Sequence, residues 1–114
     1  MAAQLLRDSL ALAAYLAEQA VTPDSSKTIF LEYYRAFRQV GDALWLKLGY
    51  AARTHEPSMW LLGEALDEPR RLDRFREMRH DATYRAEGIS TTAVIEIKSL
   101  WNEHAVRIVE LLNR

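Results

Sequence analysis

Apolar residues return every three or four positions along almost the whole chain, and this spacing constrains the fold more than any other feature. The first stretch, residues 2–21, carries Leu5, Leu12 and Leu16 in this pattern. The second stretch carries aromatic and aliphatic residues along one stripe and is expected to form the central helix. Because an α-helix turns once every 3.6 residues, such spacing places the apolar side chains on one face. The pattern predicts an all-α fold.

Short polar segments that contain proline or glycine divide the pattern into five predicted helices. Pro23 disfavours a helical conformation at the residue before it, and the Asp24–Ser26 segment can cap the second helix. A loop is predicted at Thr54–Ser58, and Ser90 or Thr91 is expected to cap the last helix. The predicted helices are residues 2–21, the stretch from the Asp24–Ser26 cap to about Ala52, Met59–Leu66, about Arg70–Tyr84, and the stretch from the Ser90 or Thr91 cap to Leu112.

The composition suits one soluble domain. A chain of 114 residues that is 49% hydrophobic can form one core, so residues 1–114 are expected to be a single domain. There is no cysteine, which excludes disulfides, thiolate nucleophiles and cysteine-containing metal sites and fits a cytoplasmic location. Charged residues such as Arg7, Asp8 and Glu18 interrupt the first apolar stretch, so neither a membrane span nor a signal peptide is predicted.

The sequence carries no familiar catalytic or cofactor motif. It has no glycine-rich phosphate loop, no paired-histidine metal helix and no nucleophile elbow. The three histidines lie far apart in the sequence, so no metal site and no cofactor are predicted. His104, within the apolar stripe of the last helix, is interpreted as a hydrogen-bonded core or subunit-contact residue. His55, in the predicted loop, is interpreted as a cap or an exposed residue.

The fourth predicted helix holds the only concentration of basic residues in the sequence. The net charge is -1, so a site for a polyanion must be local. These arginines either form exposed ion pairs at helical spacing, which add little stability, or bind an anion. They are Arg70, Arg71, Arg74, Arg76, Arg79 and the following Arg85.

Arg79 differs from the other arginines in its direction. With about 100° of turn per residue, it falls within about 50° of the centre of the helix's apolar stripe. A guanidinium group there must be paired, reach water along its stem, or face a cleft. His80 and Tyr84 lie four residues apart, so Arg79, His80 and Tyr84 are predicted to surround one phosphate-binding groove. Arg76 and Arg85 complete the predicted phosphate-binding set with Arg79.

Several short segments resemble the layout of HEPN domains, which are small helical domains of prokaryotic conflict and toxin–antitoxin systems. The resemblance extends from about Ser25 to Leu112. The segments that carry it are Tyr33–Phe37 (YYRAF), Ala43–Trp45 (ALW), Leu48–Tyr50 (LGY), Thr54–His55 (TH) and Arg79–Tyr84 (RHDATY).

The resemblance implies an up-and-down four-helix bundle with one short additional helix. It also implies a homodimer whose motif helices line a shared cleft, with a nucleotidyltransferase-type protein as a possible further partner. Active members of the family cut RNA without metal, using an arginine and a histidine that are separated by four residues. In this chain Arg79 is present, but Tyr84 stands where the family has the histidine.

This departure bears directly on catalysis. A metal-free ribonuclease needs a group that accepts the proton of the ribose 2′-hydroxyl, and a histidine with a pKa near about 6.5 can do so. A tyrosine, whose reference pKa is about 10, is a poor general base. His80 directly follows Arg79 and points about 100° away from it around the helix, so it replaces the family histidine imperfectly.

Three functions remain open from the sequence alone. The favoured hypothesis is a noncatalytic or regulatory dimer that binds RNA, a nucleotide or a partner protein through the segment Arg79–Tyr84. The alternative is an active metal-independent endoribonuclease toxin, with Arg79 and either His80 or Tyr84 as the catalytic groups. The third is an interaction adaptor in which a structural ion pair satisfies Arg79.

Overall fold

The computed structural model describes the backbone of residues 2–49 and 55–113, and the side chains of residues 2–49 and 58–113. Within these ranges it contains five α-helices and no strand, which confirms the all-α prediction. The helices are α1 (Ala2–Ala17), α2 (Ser26–Lys47), α3 (His55–Leu66), α4 (Pro69–Tyr84) and α5 (Thr91–Leu112). No helix in these ranges is both long enough and apolar enough to cross a bilayer.

The first helix ends earlier than its apolar pattern predicts. The prediction that it extends to Val21 is wrong, because α1 stops at Ala17. The hydroxyl of Ser25 donates to the Ala20 carbonyl at 2.9 Å and accepts from the Thr22 amide at 2.9 Å. These bonds hold the connection in a compact turn. Ser25 occupies the N-cap position of α2, but its side chain makes no capping hydrogen bond to that helix.

The second helix also ends before its predicted limit. It stops at Lys47, and Gly49 adopts a φ of 92°, a left-handed conformation that glycine tolerates without steric cost. The continuous helix predicted to reach Ala52 is therefore wrong, and residues 50–52 lie outside the described ranges. The Lys47 ammonium donates to the Leu112 carbonyl at 3.0 Å, so it satisfies a terminal acceptor of α5.

The third helix begins within the segment that was predicted to be a loop. His55 is the first residue of α3, so the loop prediction is wrong for residues 55–58, whereas Thr54 lies outside the described ranges. Pro57 fits here because the first amides of a helix have no acceptor within it. The predictions for the later helices are confirmed. Pro69 opens α4, and the Ser90 hydroxyl caps α5 by accepting from the Ala93 amide at 3.2 Å.

The core is built around α2, which contacts each of the other four helices. Phe30 of α2 packs edge-on against Phe75 of α4, with ring centres 5.8 Å apart. Phe37 packs in the same way against Trp101 of α5 at 5.1 Å. These aromatic contacts join α2 to the two helices that follow the α3 segment. The prediction that α2 is the central helix is confirmed.

Two glycines allow helices to approach closely. A Cβ atom at Gly41 of α2 would overlap the carbonyl oxygen of Ser58, so this position admits no side chain without movement of α3. A Cβ atom at Gly63 of α3 would lie 3.1 Å from the Cα atom of Pro69. The second approach brings the start of α4 against the last turns of α3 and fixes the geometry of the surface between them.

Candidate functional site

A cleft between α2 and α4 brings three arginines together. Its volume is about 200 Å³. Arg35 and Arg38 lie three residues apart on α2, while Arg79 and Thr83 lie four apart on α4, so each pair faces the same side of its helix. The cleft is lined by Leu31, Tyr34, Arg35, Arg38, Arg79 and Thr83. We call this surface the arginine cleft.

Arg79 lies over an aromatic ring and keeps its charge available. Its guanidinium carbon is 5.9 Å from the ring centre of Tyr34, within the range of a cation–π interaction. Among the described residues, no carboxylate lies within ion-pair distance of Arg79. The sequence placed Arg79 toward the apolar side of its helix, and the half-buried position against Tyr34 agrees with that direction. Arg79 therefore offers a positioned cation to the cleft.

Each of the two arginines of α2 has a carboxylate neighbour on its own helix. Arg35 lies 3.3 Å from Glu32, and both side chains are substantially exposed to water. The Arg38 Nε atom lies 3.9 Å from a carboxylate oxygen of Asp42, and that residue also accepts a hydrogen bond from the Ser58 hydroxyl. The exposed pair of Arg35 with Glu32 is weak, and neither Glu32 nor Asp42 lines the cleft. The cleft is therefore electropositive although the chain is nearly neutral.

The structure does not bring the predicted groove together. His80 lines a separate hollow with Arg76, Glu77 and Asp81, whereas Arg79 lines the arginine cleft. The His80 ring contacts the Tyr84 ring at 4.8 Å, and Tyr84 is 69% exposed. The 100° turn between neighbouring helix residues explains this separation.

The predicted phosphate-binding set is divided in the same way. Arg76 lies 3.0 Å from Asp73 on α4, and Arg85 lies 3.8 Å from Asp81. Of the three predicted residues, Arg79 alone lines the arginine cleft. The residues that join it there, Arg35 and Arg38, come from α2 and were not assigned a role in the sequence. Their three-residue spacing beside Tyr34 was the signal that could have indicated them.

Arg71 and Arg74 of α4 form ion pairs, as one of the two interpretations of the sequence predicted. Arg71 lies 3.3 Å from Glu68 and 3.0 Å from Glu103, while Arg74 pairs with Glu96. Two of these three pairs join α4 to α5, whereas the sequence suggested pairs within one helix. These arginines stabilise helix packing and are less available to an anion.

His104 contacts the two carboxylates that Arg71 engages. Its Nε2 atom lies 3.2 Å from a Glu68 oxygen and 3.6 Å from a Glu103 oxygen, and its side chain is largely buried. Together the three residues form a group whose ligand atoms lie within 4.8 Å of one another, which sequence spacing did not indicate. Arg71 already engages both carboxylates, so the group is better explained as an ion-pair network than as a metal site.

Comparison with known proteins yields no relative for this chain. No protein-family model matches it, and neither a curated protein nor a solved structure matches it. The resemblance to HEPN domains therefore stays a prediction from the residues, and the functional argument rests on the geometry of the arginine cleft.

Proposed function

We propose that this chain is a noncatalytic, HEPN-like helical domain that binds the phosphate backbone of single-stranded RNA in the arginine cleft. The observation that carries the proposal is the convergence of Arg35, Arg38 and Arg79 on one cleft. The proposal keeps Arg79 from the sequence prediction and replaces Arg76 and Arg85 by the two arginines of α2.

The chemistry of the cleft supports phosphate as the ligand. A guanidinium group presents its N–H donors in a planar fork that matches two phosphate oxygens. The Tyr34 ring lies against Arg79 and limits the freedom of its side chain before a ligand arrives. Thr83, one helical turn beyond Arg79, adds a hydroxyl donor to the same wall.

Binding is favoured over cleavage because the described residues offer no general base beside Arg79. His80 lines another hollow, and His104 is engaged by Glu68. A proton-accepting group must lie within hydrogen-bond reach of the ribose hydroxyl while the phosphate is held. The adaptor hypothesis required a structural ion pair for Arg79, and none is found among the described residues. That observation favours RNA binding over the adaptor role.

Binding of labelled single-stranded RNA by purified variants tests the proposal. Arg79→Ala is expected to weaken binding about tenfold, because it removes a charge-assisted hydrogen bond to phosphate. Arg74→Ala is the matched control, because it removes a charge from the same helix at a residue that pairs with Glu96. Equal losses in both variants, at unchanged helicity, would show that only general charge matters and would contradict the proposal.

The same RNA, incubated in EDTA, distinguishes binding from catalysis. The proposal expects intact RNA with wild-type protein. Cleavage that disappears in Arg79→Ala and in either His80→Ala or Tyr84→Phe would instead establish the metal-independent endoribonuclease, and would name its second catalytic group.

We also propose that the domain works as a homodimer, with a nucleotidyltransferase-type protein as a further partner. Sedimentation equilibrium of the purified chain is expected to give twice the 13.1 kDa mass of one copy. A monomeric mass across the concentration range of the RNA experiment would remove the dimer from the proposal and leave the cleft itself untouched.

A further inference from the structure

A second and larger pocket lies between α3 and α4. Its volume is about 530 Å³, within the range of pockets that hold small organic ligands. Trp60 is 62% exposed beside it, so a large flat ring is presented to solvent. The residues that matter here are Trp60 and Glu64 on α3, and Arg70, Asp73 and Arg76 on α4.

Helix geometry and a close contact determine how this pocket is formed. Trp60 and Glu64 lie four residues apart, so the carboxylate is next to the indole on one face of α3. Arg70 lies in the first turn of α4, on the opposite wall. Because Gly63 permits Pro69 to approach α3, the start of α4 is held close to α3, and Pro69 lines the pocket together with Trp60.

The charges of the pocket are balanced but not all are paired. Asp73 and Arg76 lie 3.0 Å apart and neutralise each other. Glu64 and Arg70 have no ion-pair partner among the described residues. The pocket therefore presents an aromatic face, one available carboxylate and one available guanidinium group.

We propose that this pocket binds a guanine nucleotide. The base stacks on Trp60, and the two oxygens of Glu64 accept hydrogen bonds from the guanine N1–H and N2–H groups. Guanine fits because its Watson–Crick edge presents two adjacent N–H donors, whereas that of adenine presents a donor beside an acceptor. Arg70 binds the phosphate.

The charge of Arg70 disfavours a cationic ligand in this pocket. A quaternary ammonium group or a lysine side chain would also favour an aromatic ring beside a carboxylate. Such a cation would be repelled by Arg70, whose charge is not neutralised by a described carboxylate. A ligand that carries both N–H donors and a negative charge satisfies Glu64 and Arg70 together.

Isothermal titration of the full chain with guanosine, inosine and adenosine 5′-monophosphates tests this inference. Guanosine monophosphate is expected to bind about tenfold more tightly than inosine monophosphate, which lacks the N2 amino group. Glu64→Gln is expected to abolish that difference. Trp60→Ala is expected to lose at least about tenfold in affinity, while Trp60→Phe retains most of it.

Two results would overturn the inference. One is equal affinity for the guanosine and adenosine nucleotides in the wild-type protein, and the other is unchanged binding in Trp60→Ala. Arg79→Ala separates this site from the arginine cleft, because it is expected to leave nucleotide affinity unchanged. Loss of binding in Arg79→Ala but not in Trp60→Ala would assign the nucleotide to the arginine cleft and also overturn the inference. Failure of RNA binding alone would leave the nucleotide site standing.

Discussion

Buried hydroxyl groups at single residues connect parts of the chain that are far apart in sequence. The Ser26 hydroxyl, at the start of α2, donates to the Ile89 carbonyl at 2.5 Å. Both residues are buried, so the Ile89 carbonyl relies on this donor, whereas the Ser26 hydroxyl also lies 3.2 Å from the Pro23 carbonyl. The sequence marked Ser26 as a possible helix cap. It gave no sign of this partner, because the acceptor is a backbone atom whose position follows from the packing of every helix between them.

Replacing Ser26 should therefore cost stability although the change is small. Ser26→Ala leaves the Ile89 carbonyl without its donor, and we expect a loss of about 1–3 kcal/mol in the free energy of unfolding. Urea denaturation followed by circular dichroism measures this loss. Ser99→Ala, at an exposed position of α5, is the control and should change stability by less than about 0.5 kcal/mol. Equal stability of the two variants would show that water replaces the donor.

The buried side chain of Tyr33 is expected to lower stability at alkaline pH. Burial raises the pKa of Tyr33 above its ordinary value of 10.0, because the phenolate would lose its hydration. Above that ordinary value the unfolded chain releases a proton that the folded chain retains, so the unfolded state is favoured as pH rises. Below pH 10.0 the folded and unfolded chains both keep this proton, so Tyr33 causes no loss of stability there.

Tyr33→Phe is expected to lose less stability than wild type over the interval above about pH 10, since it has no proton to release at this position. Denaturation midpoints measured across that interval test the expectation. Tyr15→Phe removes an exposed hydroxyl and serves as the control. Parallel declines in wild type and Tyr33→Phe would rule out this contribution from Tyr33.

At the level of helices, the sequence predicted the number and order of elements but not all of their ends. The start of α5 was predictable because Ser90 acts through residues close to it. The start of α3 was not, because Pro57 suggested a break although proline is tolerated in a first turn. Beyond the end of α1, the Ser25 hydroxyl binds the Ala20 carbonyl, and the apolar pattern gives no sign of this contact. Helix caps formed by nearby residues could thus be predicted from the sequence, whereas the exact ends of α1 and α3 could not.

The close approach of α2 and α3 yields a prediction at this scale. Gly41→Ala would place a Cβ atom against the Ser58 backbone carbonyl, and we expect a loss of about 1–3 kcal/mol as the helices move apart. Thermal unfolding measures this loss. Gly88→Ala is a matched control, since nothing lies within 4 Å of the added atom. Equal unfolding temperatures of the two variants would show that the close approach of α2 and α3 does not exclude a side chain at residue 41.

At the level of the whole molecule, function depends on where the charges lie. The net charge is -1, yet the packing of α2 on α4 collects three arginines at one cleft. The sequence could indicate Arg79, because its direction follows from the local helical repeat. The spacing of Arg35 and Arg38 indicates only that they share a face of α2, because their proximity to Arg79 requires the tertiary arrangement of two helices. The separation of His80 from Arg79 was, by contrast, readable from the helical turn alone.

A local cleft predicts a modest dependence of RNA affinity on salt. If the three arginines contact phosphates, the logarithm of affinity should fall against the logarithm of salt concentration with a slope of about -2. Arg38→Ala should reduce the slope by about 0.7, the value for one contact to a single strand. Titrations at several salt concentrations measure both slopes, with Arg74→Ala as the control. A slope unchanged by Arg38→Ala would exclude its contact with phosphate.

The tryptophans differ in exposure to water, which makes the fluorescence of Trp60 a probe of the pocket between α3 and α4. Of the three tryptophans, Trp101 is buried against Phe37, Trp45 is half-buried, and Trp60 is mostly exposed to water. A small quencher such as acrylamide will therefore reach Trp60 far more readily than Trp101. Any ligand that covers the pocket between α3 and α4 must shield Trp60 from the quencher and leave the emission of Trp45 and Trp101 in place.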